Sequence, residues 1–347
     1  MSEYVTSGIP FYRSKEIINL HKNQNIQTEL FIPEERFDEI NLKFGSPTEG
    51  DILLTSVGTL GVPYQVKKGD KFYFKDGNLT WFRNFSDKVN KKYLYFWLTS
   101  PVAKRKIDEI TIGSTQKALT IVSLNNIEID LPSITEQNKI VEVISAIQEK
   151  IELNQKMNET LEEIAKSLFK SWFINFDPVK AKAKGRPTGL SQEINDLFPD
   201  ELVNAESGEI PKGWEVSPLS KFIMEVGEKT KPSPETKLRP YVPIDCISSK
   251  SLTLKEFKNG AEAKSSLVSF KKGDILFGAM RPYFHKVCIA PFDGTTRTTC
   301  LVLRSNVRDY FCFSLLTLFH DRTIDFATQN STGSTIPYIK WKNELET

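Results

Sequence analysis

Apolar and polar residues alternate in strand-like and helix-like patterns in the first third of the chain. β-like runs at Asp51–Thr55, Lys71–Lys75 and Ile127–Leu131 lie between Gly, Pro and Asn residues. One helix is predicted over Val89–Ile110, where apolar residues recur three and four positions apart. Residues 8–132 therefore predict a module that mixes strands with a helix.

A second mixed module is predicted from Trp214 onward. A helix is expected around Asp309–Phe326. Seven apolar positions indicate half-buried strands, namely Phe270, Ile275, Phe277, Val287, Ile289, Leu301 and Leu303.

Residues 134–177 carry the strongest periodic pattern, a stripe of apolar residues in alternating steps of three and four, as in a coiled coil. A helix of some 40 residues would be about 60 Å long, so it is expected to project or to act as a spacer. Two amides in consecutive layers favour one partner and one register. The alternative is a surface helix that covers its own domain. The residues expected to pack against another helix or to dock a subunit are Ile140, Ile144, Ile147, Ile151, Asn154, Asn158, Leu161, Leu168 and Trp172.

Residues 178–213 are predicted to be a linker. Asp177-Pro178 ends the helix, and Pro and Gly residues recur as far as Gly213, which disfavours regular structure. The predicted organisation is a first module over 1–133, the long helix over 134–177, this linker, and a second module over 214–347.

The two modules share landmarks in the same order. Gly50-Asp51-Ile52-Leu53 returns as Gly273-Asp274-Ile275-Leu276, and Gly113-Ser114-Thr115 returns as Gly333-Ser334-Thr335. Units of this length indicate domain duplication rather than a solenoid of short repeats. Two similar modules suggest two similar binding events.

Composition narrows the class of protein. With 347 residues, 39% hydrophobic and 26% charged, the chain is typical of a two-domain globular protein. No run of 18 apolar residues and no signal peptide is present, so a cytoplasmic protein without membrane contact is expected. A net charge of +2 argues against a protein that coats nucleic acid by charge alone.

Signatures of catalysis are absent from the sequence. It has no phosphate-binding loop, dinucleotide-binding turn, zinc-protease motif or nucleophile elbow. The three histidines are isolated, and solvent or a phosphate is the expected neighbour of His285. The four cysteines form no C-x-x-C pair and are expected to be buried, reduced thiols rather than metal ligands. No catalytic residue and no metal site is predicted.

The segment Asp130-Leu131-Pro132-Ser133-Ile134-Thr135-Glu136-Gln137 resembles the signature that opens the long helix of type I restriction-modification specificity subunits. Similarity continues through Lys150–Glu162 and Leu168–Val179. The landmarks of both modules and the Ile210–Trp214 segment are also similar to that family, so the resemblance covers most of the chain.

The resemblance implies an α+β protein with two target recognition domains separated by a coiled-coil-forming helix. Each domain of such a subunit reads one half of a split DNA sequence, and the helices measure the unread spacer. The subunit catalyses nothing and binds no cofactor. It docks methyltransferase subunits, which carry S-adenosylmethionine, while restriction subunits supply ATP- and Mg²⁺-dependent translocation and cleavage.

Candidate DNA contacts follow from the chemistry of DNA recognition. Lys and Arg contact phosphates or guanine, and Asn or Gln pairs with adenine. The alternative at each position is a solvated surface charge, and the Gly-Ser-Thr landmarks are expected to hold a loop shape rather than to touch DNA. The candidates are Lys67, Lys68, Lys71, Arg83 and Gln116 in the first module and Arg281, Tyr283, His285, Lys286 and Arg297 in the second.

The chain departs from the family pattern at both ends. Its first module begins about 17 residues late relative to the second, and only 14 residues follow Gly333, so no second spacer helix is expected. The exposed stripe is then expected to find a partner by self-association or on another subunit. Two further functions are considered: a scaffold that binds protein instead of DNA, and the specificity subunit of a fused nuclease-methyltransferase system.

Overall fold

The computed structural model describes residues 4–22, 26, 28–75, 77–111, 118–205 and 208–347. The chain divides into two compact units, Met1–Asn154 and Gln155–Thr347, with the boundary inside one long helix. Each unit combines helices with small sheets, which confirms the predicted α+β fold class with two mixed modules and a long helix.

The first unit builds its described part from short strands and helices. The strands are β1 (Ile9–Tyr12), β2 (Phe31–Ile32), β3 (Ile52–Thr55), β4 (Pro63–Gln65), β5 (Tyr73–Phe74) and β6 (Leu79–Phe82). The helices are α1 (Ser14–His21), α2 (Glu34–Phe44), α3 (Lys91–Thr99), α4 (Pro101–Ile110), α5 (Ile121–Asn125) and the start of α6 (Ile134–Phe169). The sheets have the orders β2-β1-β5 and β4-β3-β6.

The second unit begins within α6, whose last turn continues as a π-helix over Lys170–Ile174. Its helices are α7 (Asp177–Ala183), α8 (Gln192–Asn195), α9 (Pro234–Lys237), α10 (Phe311–Phe319) and α11 (Asp321–Gln329). Its strands are β7 (Leu202–Ala205), β8 (Gly208–Pro211), β9 (Ile223–Glu225), β10 (Glu228–Thr230), β11 (Pro240–Tyr241), β12 (Lys258–Asn259), β13 (Leu267–Phe270), β14 (Ile275–Gly278), β15 (Val287–Ile289), β16 (Gly294–Arg297) and β17 (Cys300–Ser305).

Two sheets and a hairpin organise the second unit. The sheets have the orders β10-β13-β16-β11-β12 and β15-β14-β17-β9, and β7 pairs with β8. The central strand β14 is fully buried, with Ile275, Leu276 and Phe277 at 0% exposure. All seven apolar residues predicted to lie in strands of this module do so.

The same three-stranded arrangement occurs in both units. Strand β3 lies between β4 and β6, and β14 lies between β15 and β17, with antiparallel pairing throughout. Leu53 pairs with Tyr64, and the corresponding Leu276 pairs with Cys288. The Ile-Leu residues that follow Gly-Asp in each copy of the repeat therefore lie on equivalent strands.

The helix predicted over Val89–Ile110 is two helices. The chain leaves the helical conformation at Ser100, whose hydroxyl accepts a hydrogen bond from Ala103 N at 3.2 Å and caps α4. Pro101 has no N–H to continue the hydrogen bonding of α3, so the break follows from the sequence. The predicted helix at 309–326 also breaks, at His320, whose backbone is extended and whose Nδ1 accepts from Arg322 N at 3.2 Å to cap α11.

Other expectations about local structure are corrected by the fold. Ile127–Leu131 forms no strand, and the first module has α1, α2 and α5 besides the one predicted helix. Residues 178–213 are not devoid of regular structure, because α7, α8 and the β7–β8 hairpin lie there. Pro178 stands in the first turn of α7, and Gly208 and Pro211 are the end residues of β8, positions where their restrictions are tolerated.

None of the helices in the described part of the chain is long and apolar enough to cross a membrane.

Candidate nucleic-acid interface

The Gly-Asp landmark forms the same tight turn in each module. In both copies the aspartate N–H donates to the carbonyl three residues earlier, at 3.0 Å. Gly50 and Gly273 both have a φ of +89°, the value that the third residue of a type II turn requires and that glycine adopts most easily. The landmark is therefore a tight turn that leads directly into the buried strand β3 or β14.

The aspartates of this turn are buried and hydrogen-bonded. Asp51 accepts from Trp81 Nε1 at 3.0 Å, and Asp274 accepts from Arg304 Nε at 2.7 Å and Nη2 at 3.1 Å. Each carboxylate also accepts the backbone N–H of the first residue of its turn. Since these groups serve the protein's own backbone and neighbours, we assign them no contact with a ligand.

Lys67 and Lys68 project from a second turn of the first module. Asp70 shapes this turn by accepting from Lys67 N at 2.8 Å and from Tyr64 Oη at 2.6 Å. Both lysine side chains are exposed and line a cleft of about 1140 Å³ that also contains Lys91. The structure therefore brings together cations that the sequence places 23 residues or more apart.

The cleft was not found by reasoning from the sequence. Lys91 and Lys92, at the start of α3, line it together with Lys67 and Lys68, and residues Ser145 and Glu149 of α6 form another part of its wall. The paired lysines in the first turn of the predicted helix were the available signal. Because the wall also carries Glu149 and Glu152, the cleft has charges of both signs.

Lys71 and Arg83 are exposed but engaged with the protein. Lys71 Nζ lies 3.3 Å from Glu34 Oε1, an exposed pair of little energetic weight. Arg83 stacks on the Trp81 ring at 4.2 Å and donates to Phe44 O at 2.8 Å, so its guanidinium is held in one orientation. Gln116 and the Gly113-Ser114-Thr115 landmark lie outside the described residues.

The candidates of the second module lie on β16 and on the loop that joins β14 to β15. Arg297 is exposed at the end of β16 and borders a pocket with Tyr241 and Met280. Lys286 donates to Ile244 O at 2.7 Å, which turns its ammonium toward the protein. Tyr283 is 50% exposed at the tip of the loop.

The prediction that His285 has solvent or a phosphate as its neighbour is wrong. The ring is 4% exposed, and because a carbonyl can only accept, Nε2 donates to Phe319 O at 2.7 Å. Burial lowers the pKa of His285, although the exposed Asp321 carboxylate, 3.4 Å from Nδ1, opposes this. The neutral ring is a structural support of the loop, so we omit it from the proposed DNA surface.

The apolar stripe of α6 is largely exposed within this chain. Ile147 and Ile151 are 56% and 51% exposed, and both Asn154 and Asn158 are exposed as well. Leu161 and Leu168 are likewise exposed, Ile140 is 37% exposed, and Ile144 is half-buried. Whether the stripe packs on a helix or docks a subunit stays a prediction.

A different face of α6 contacts the second unit. Glu162 Oε1 accepts from Leu252 N at 3.0 Å, and Lys166 lies 4.5 Å above the Phe319 ring. Phe169 and Phe173, further along the same face, pack into the core cluster. Sequence periodicity missed this face because half of its residues are charged.

An aromatic cluster attaches the segment after α6 to the end of the helix. Trp172 contacts Phe198 edge to face at 5.5 Å, and Phe173 stacks on Trp214 at 5.8 Å. Phe198 and Trp214 are 6.5 Å apart. Trp172, predicted for helix packing or docking, therefore packs on its own chain and is half-buried.

Three of the four cysteines are buried thiols, as expected, and Cys312 is exposed. All four are free. Burial raises the pKa of the Cys300 thiol to about 11 and raises that of Cys288 further. Among the residues that the structure describes, no group of three or more His, Cys, Asp or Glu side chains could hold a metal ion.

Comparison with known proteins gives one consistent result. Residues 4–163 match the family described as "Type I restriction modification DNA specificity domain". The MjaIX specificity subunit of Methanocaldococcus jannaschii is 31% identical over 359 aligned positions, which cover 98% of this chain and 75% of that protein. The HindI specificity subunit of Haemophilus influenzae is 40% identical over 100 residues, 29% of this chain and 21% of that protein.

A solved structure of a type I restriction-modification S subunit from M. genitalium aligns with this chain at a TM-score of 0.45 and 14% identity. The alignment covers 99% of this chain and 78% of the M. genitalium chain. The sequence relationship to the MjaIX subunit extends over nearly the whole chain and shows the family. This chain belongs to the family of type I restriction enzyme specificity subunits.

Proposed function

We propose that this chain is the DNA-recognition subunit of a type I restriction-modification complex, in which each module reads one half of a bipartite target. The observation that carries the proposal is the repetition of one framework, the type II turn leading into a buried central strand, in two separate units. Duplicated frameworks with different exposed side chains suit a target with two unlike halves. Phosphate contacts would position each module and base edges would specify it.

In the proposal, α6 sets the spacing between the two half-targets and docks methyltransferase subunits through its apolar stripe. A helix of 36 residues is about 54 Å long, which is more than one turn of B-DNA. The exposed Ile147 and Ile151 support a docking role, because a stripe of this length is seldom left in water. Self-association through the same stripe is the alternative.

The chemistry is assigned to partner subunits. Methyltransferase subunits would bind S-adenosylmethionine, and restriction subunits would bind ATP and Mg²⁺. This chain would supply double-stranded DNA recognition and no catalytic residue. In the first module, Lys67, Lys68, Lys71 and Arg83 are the proposed contacts, and in the second Arg281, Tyr283, Lys286 and Arg297.

Methylation mapping tests the proposal. Genomic DNA from cells that express this chain with its methyltransferase subunit should carry methylated adenine in one split motif, and cells with the methyltransferase alone should not. Replacing Lys67 and Lys68 with Ala should weaken binding about equally for all sequences and reduce its salt dependence, as expected of phosphate contacts. An intact complex that methylates no motif would contradict the proposal.

A further inference from the structure

The loops after β3 and β14 correspond to each other in the two modules. Val57 forms a β-bridge with Ala118, and Met280 forms one with Tyr338. Ala118 and Tyr338 each lie five positions after the glycine of a Gly-Ser-Thr landmark, so the bridges join equivalent segments. The loop over 56–62 has seven residues and the loop over 279–286 has eight.

Each loop has two left-handed residues, but the residue types differ. In the first module these are Gly58 at φ +81° and Gly61 at φ +72°. In the second they are Arg281 and His285, both at φ +52°. Glycine adopts this conformation freely, whereas a residue with a Cβ is strained there. The second module thus retains strain that glycine avoids in the first, and such strain concentrates at functional sites.

Hydrogen bonds hold the loop of the second module at both ends. The backbone N–H of Arg281 donates to Pro337 O at 2.7 Å, and the N–H of Lys250 donates to His285 O at 2.9 Å. The His285 ring is itself fixed by Phe319 O. Because the backbone is held on three sides, the residues between Arg281 and His285 have one defined position.

Two aromatic side chains occupy the tip of this rigid loop. Tyr283 is 50% exposed and Phe284 45%, with their ring centroids 4.8 Å apart. The first module has Thr59 and Leu60 at the tip, and Leu60 packs on its own core. An aromatic pair on a fixed backbone loses little conformational entropy when it binds, which suits it to stacking.

The charges beside the tip favour nucleic acid as the partner. Lys250 is exposed and hydrogen-bonded to the loop, and Arg281 Nε is buried without a hydrogen-bond partner in the part of the chain that the structure describes. The Asp321 carboxylate faces the ring of His285. Aromatic rings flanked by cations match a base flanked by phosphates.

We propose that Tyr283 and Phe284 stack on bases of double-stranded DNA in the half-target read by the second module, an inference that rests on the proposed function. Side chains inserted between base pairs unstack one step and bend the duplex. The first module, with Thr59 and Leu60 at the equivalent tip, would leave its half-target stacked. The two modules would then read their half-targets differently, although both are built on the same framework of strands.

The first test uses the complex of this chain with its methyltransferase subunits and a duplex that carries the mapped methylation motif, with 2-aminopurine at successive positions. Apart from the adenines to be methylated, which methyltransferases flip out of the duplex, the wild-type complex should raise the fluorescence at one step of the second half-target only. The double variant Tyr283→Ala, Phe284→Ala should abolish that rise and weaken binding about 5- to 100-fold, the range for loss of base–aromatic stacking. Phe257→Ala, which removes an exposed ring elsewhere in the same unit, is the matched control and should change neither value.

A second variant separates a DNA contact from a structural role. Position 281 corresponds to Gly58 of the first module. Arg281→Gly therefore relieves the backbone strain at this position and should leave the melting temperature unchanged or raise it. DNA binding should nevertheless weaken, with a smaller dependence on salt. A lower melting temperature with unchanged DNA binding would show that Arg281 serves the fold alone.

The remaining outcomes are distinct. If the complex methylates no split motif, the proposed function fails before the loop is tested. If methylation and affinity are the same in the double variant, or if 2-aminopurine fluorescence rises at no step, the stacking inference is overturned. If the double variant no longer sediments with methyltransferase subunits, the aromatic pair is a protein contact and the inference is likewise overturned.

Discussion

Several residues that the sequence singles out are buried and support the fold instead of facing solvent. Asp51 and Asp274 attract attention because they repeat, yet both serve the turn that precedes a central strand. His285 lies in a basic, aromatic stretch and is nevertheless buried against Phe319 O. Repetition and local composition therefore identify positions that matter without stating whether they matter for folding or for binding.

The burial of His285 predicts a dependence of stability on pH. Because burial lowers the pKa of His285 below its usual value, the folded state binds fewer protons than the unfolded state near pH 6. Stability should be complete above about pH 6.5, the unfolded value, and fall as the pH drops toward the folded pKa. Urea denaturation at pH 7.5 and 5.5 measures the loss.

Two variants control that measurement. In His285→Gln the amide still donates to Phe319 O but does not titrate, so the difference between the two pH values should shrink. Burial also lowers the pKa of His320, so His320→Gln should remove a second part of the difference. An unchanged difference in both variants would mean that other groups cause the loss.

At the scale of elements, the start of α6 shows how a signature in the sequence acts physically. Ser133 and Glu136 form a capping box, with Ser133 N donating to Glu136 Oε2 at 3.0 Å. Gln137 is 0% exposed, accepts from Asn90 N at 2.8 Å and donates to Lys88 O at 2.9 Å and Pro132 O at 2.8 Å. The glutamate thus caps the N-terminus of the helix, and the glutamine fixes the helix to the first module by hydrogen bonds.

Gln137→Ala should destabilise the first unit by about 1 to 3 kcal/mol, because it leaves buried backbone groups without partners. The measurement is the midpoint of denaturation followed by circular dichroism. Gln148→Ala, on the exposed surface of the same helix, should change stability by less than about 0.5 kcal/mol. Equal effects of the two substitutions would show that the hydrogen bonds of Gln137 carry no special weight.

The periodic pattern predicted the helices more reliably than their breaks. It identified α6 within a few residues because a long amphipathic stripe is a strong local signal. It merged α3 with α4 because both continue one apolar pattern across Ser100 and Pro101. It missed α1, α2 and α5, because helices of this kind are stabilised by packing in the module rather than by a local signal.

At the scale of the molecule, the apolar stripe of α6 stays largely exposed in the part of the chain that the structure describes. The double variant Ile147→Lys, Ile151→Lys should prevent assembly with methyltransferase subunits or, in their absence, self-association. Since both side chains are more than half exposed, the melting temperature of the isolated chain should be unaffected. Sedimentation velocity measures both assemblies.

Glu142→Lys provides a control matched in charge. It changes the net charge by the same amount as the double variant and lies on α6 outside the stripe. Assembly should survive this change. Loss of assembly in both variants would mean that net charge on the helix, rather than the apolar stripe, governs docking.

The sequence by itself determined the duplication, the two mixed modules, the long helix and the family. These properties follow from periodicity and from repeated short motifs, and both kinds of pattern can be recognised from residues that are close together in the sequence. Tertiary structure decided which polar residues are buried, which face of α6 packs on the second unit, and which backbone positions are strained. Those properties arise from contacts between distant segments, as with His285 and Phe319, and no local pattern encodes them.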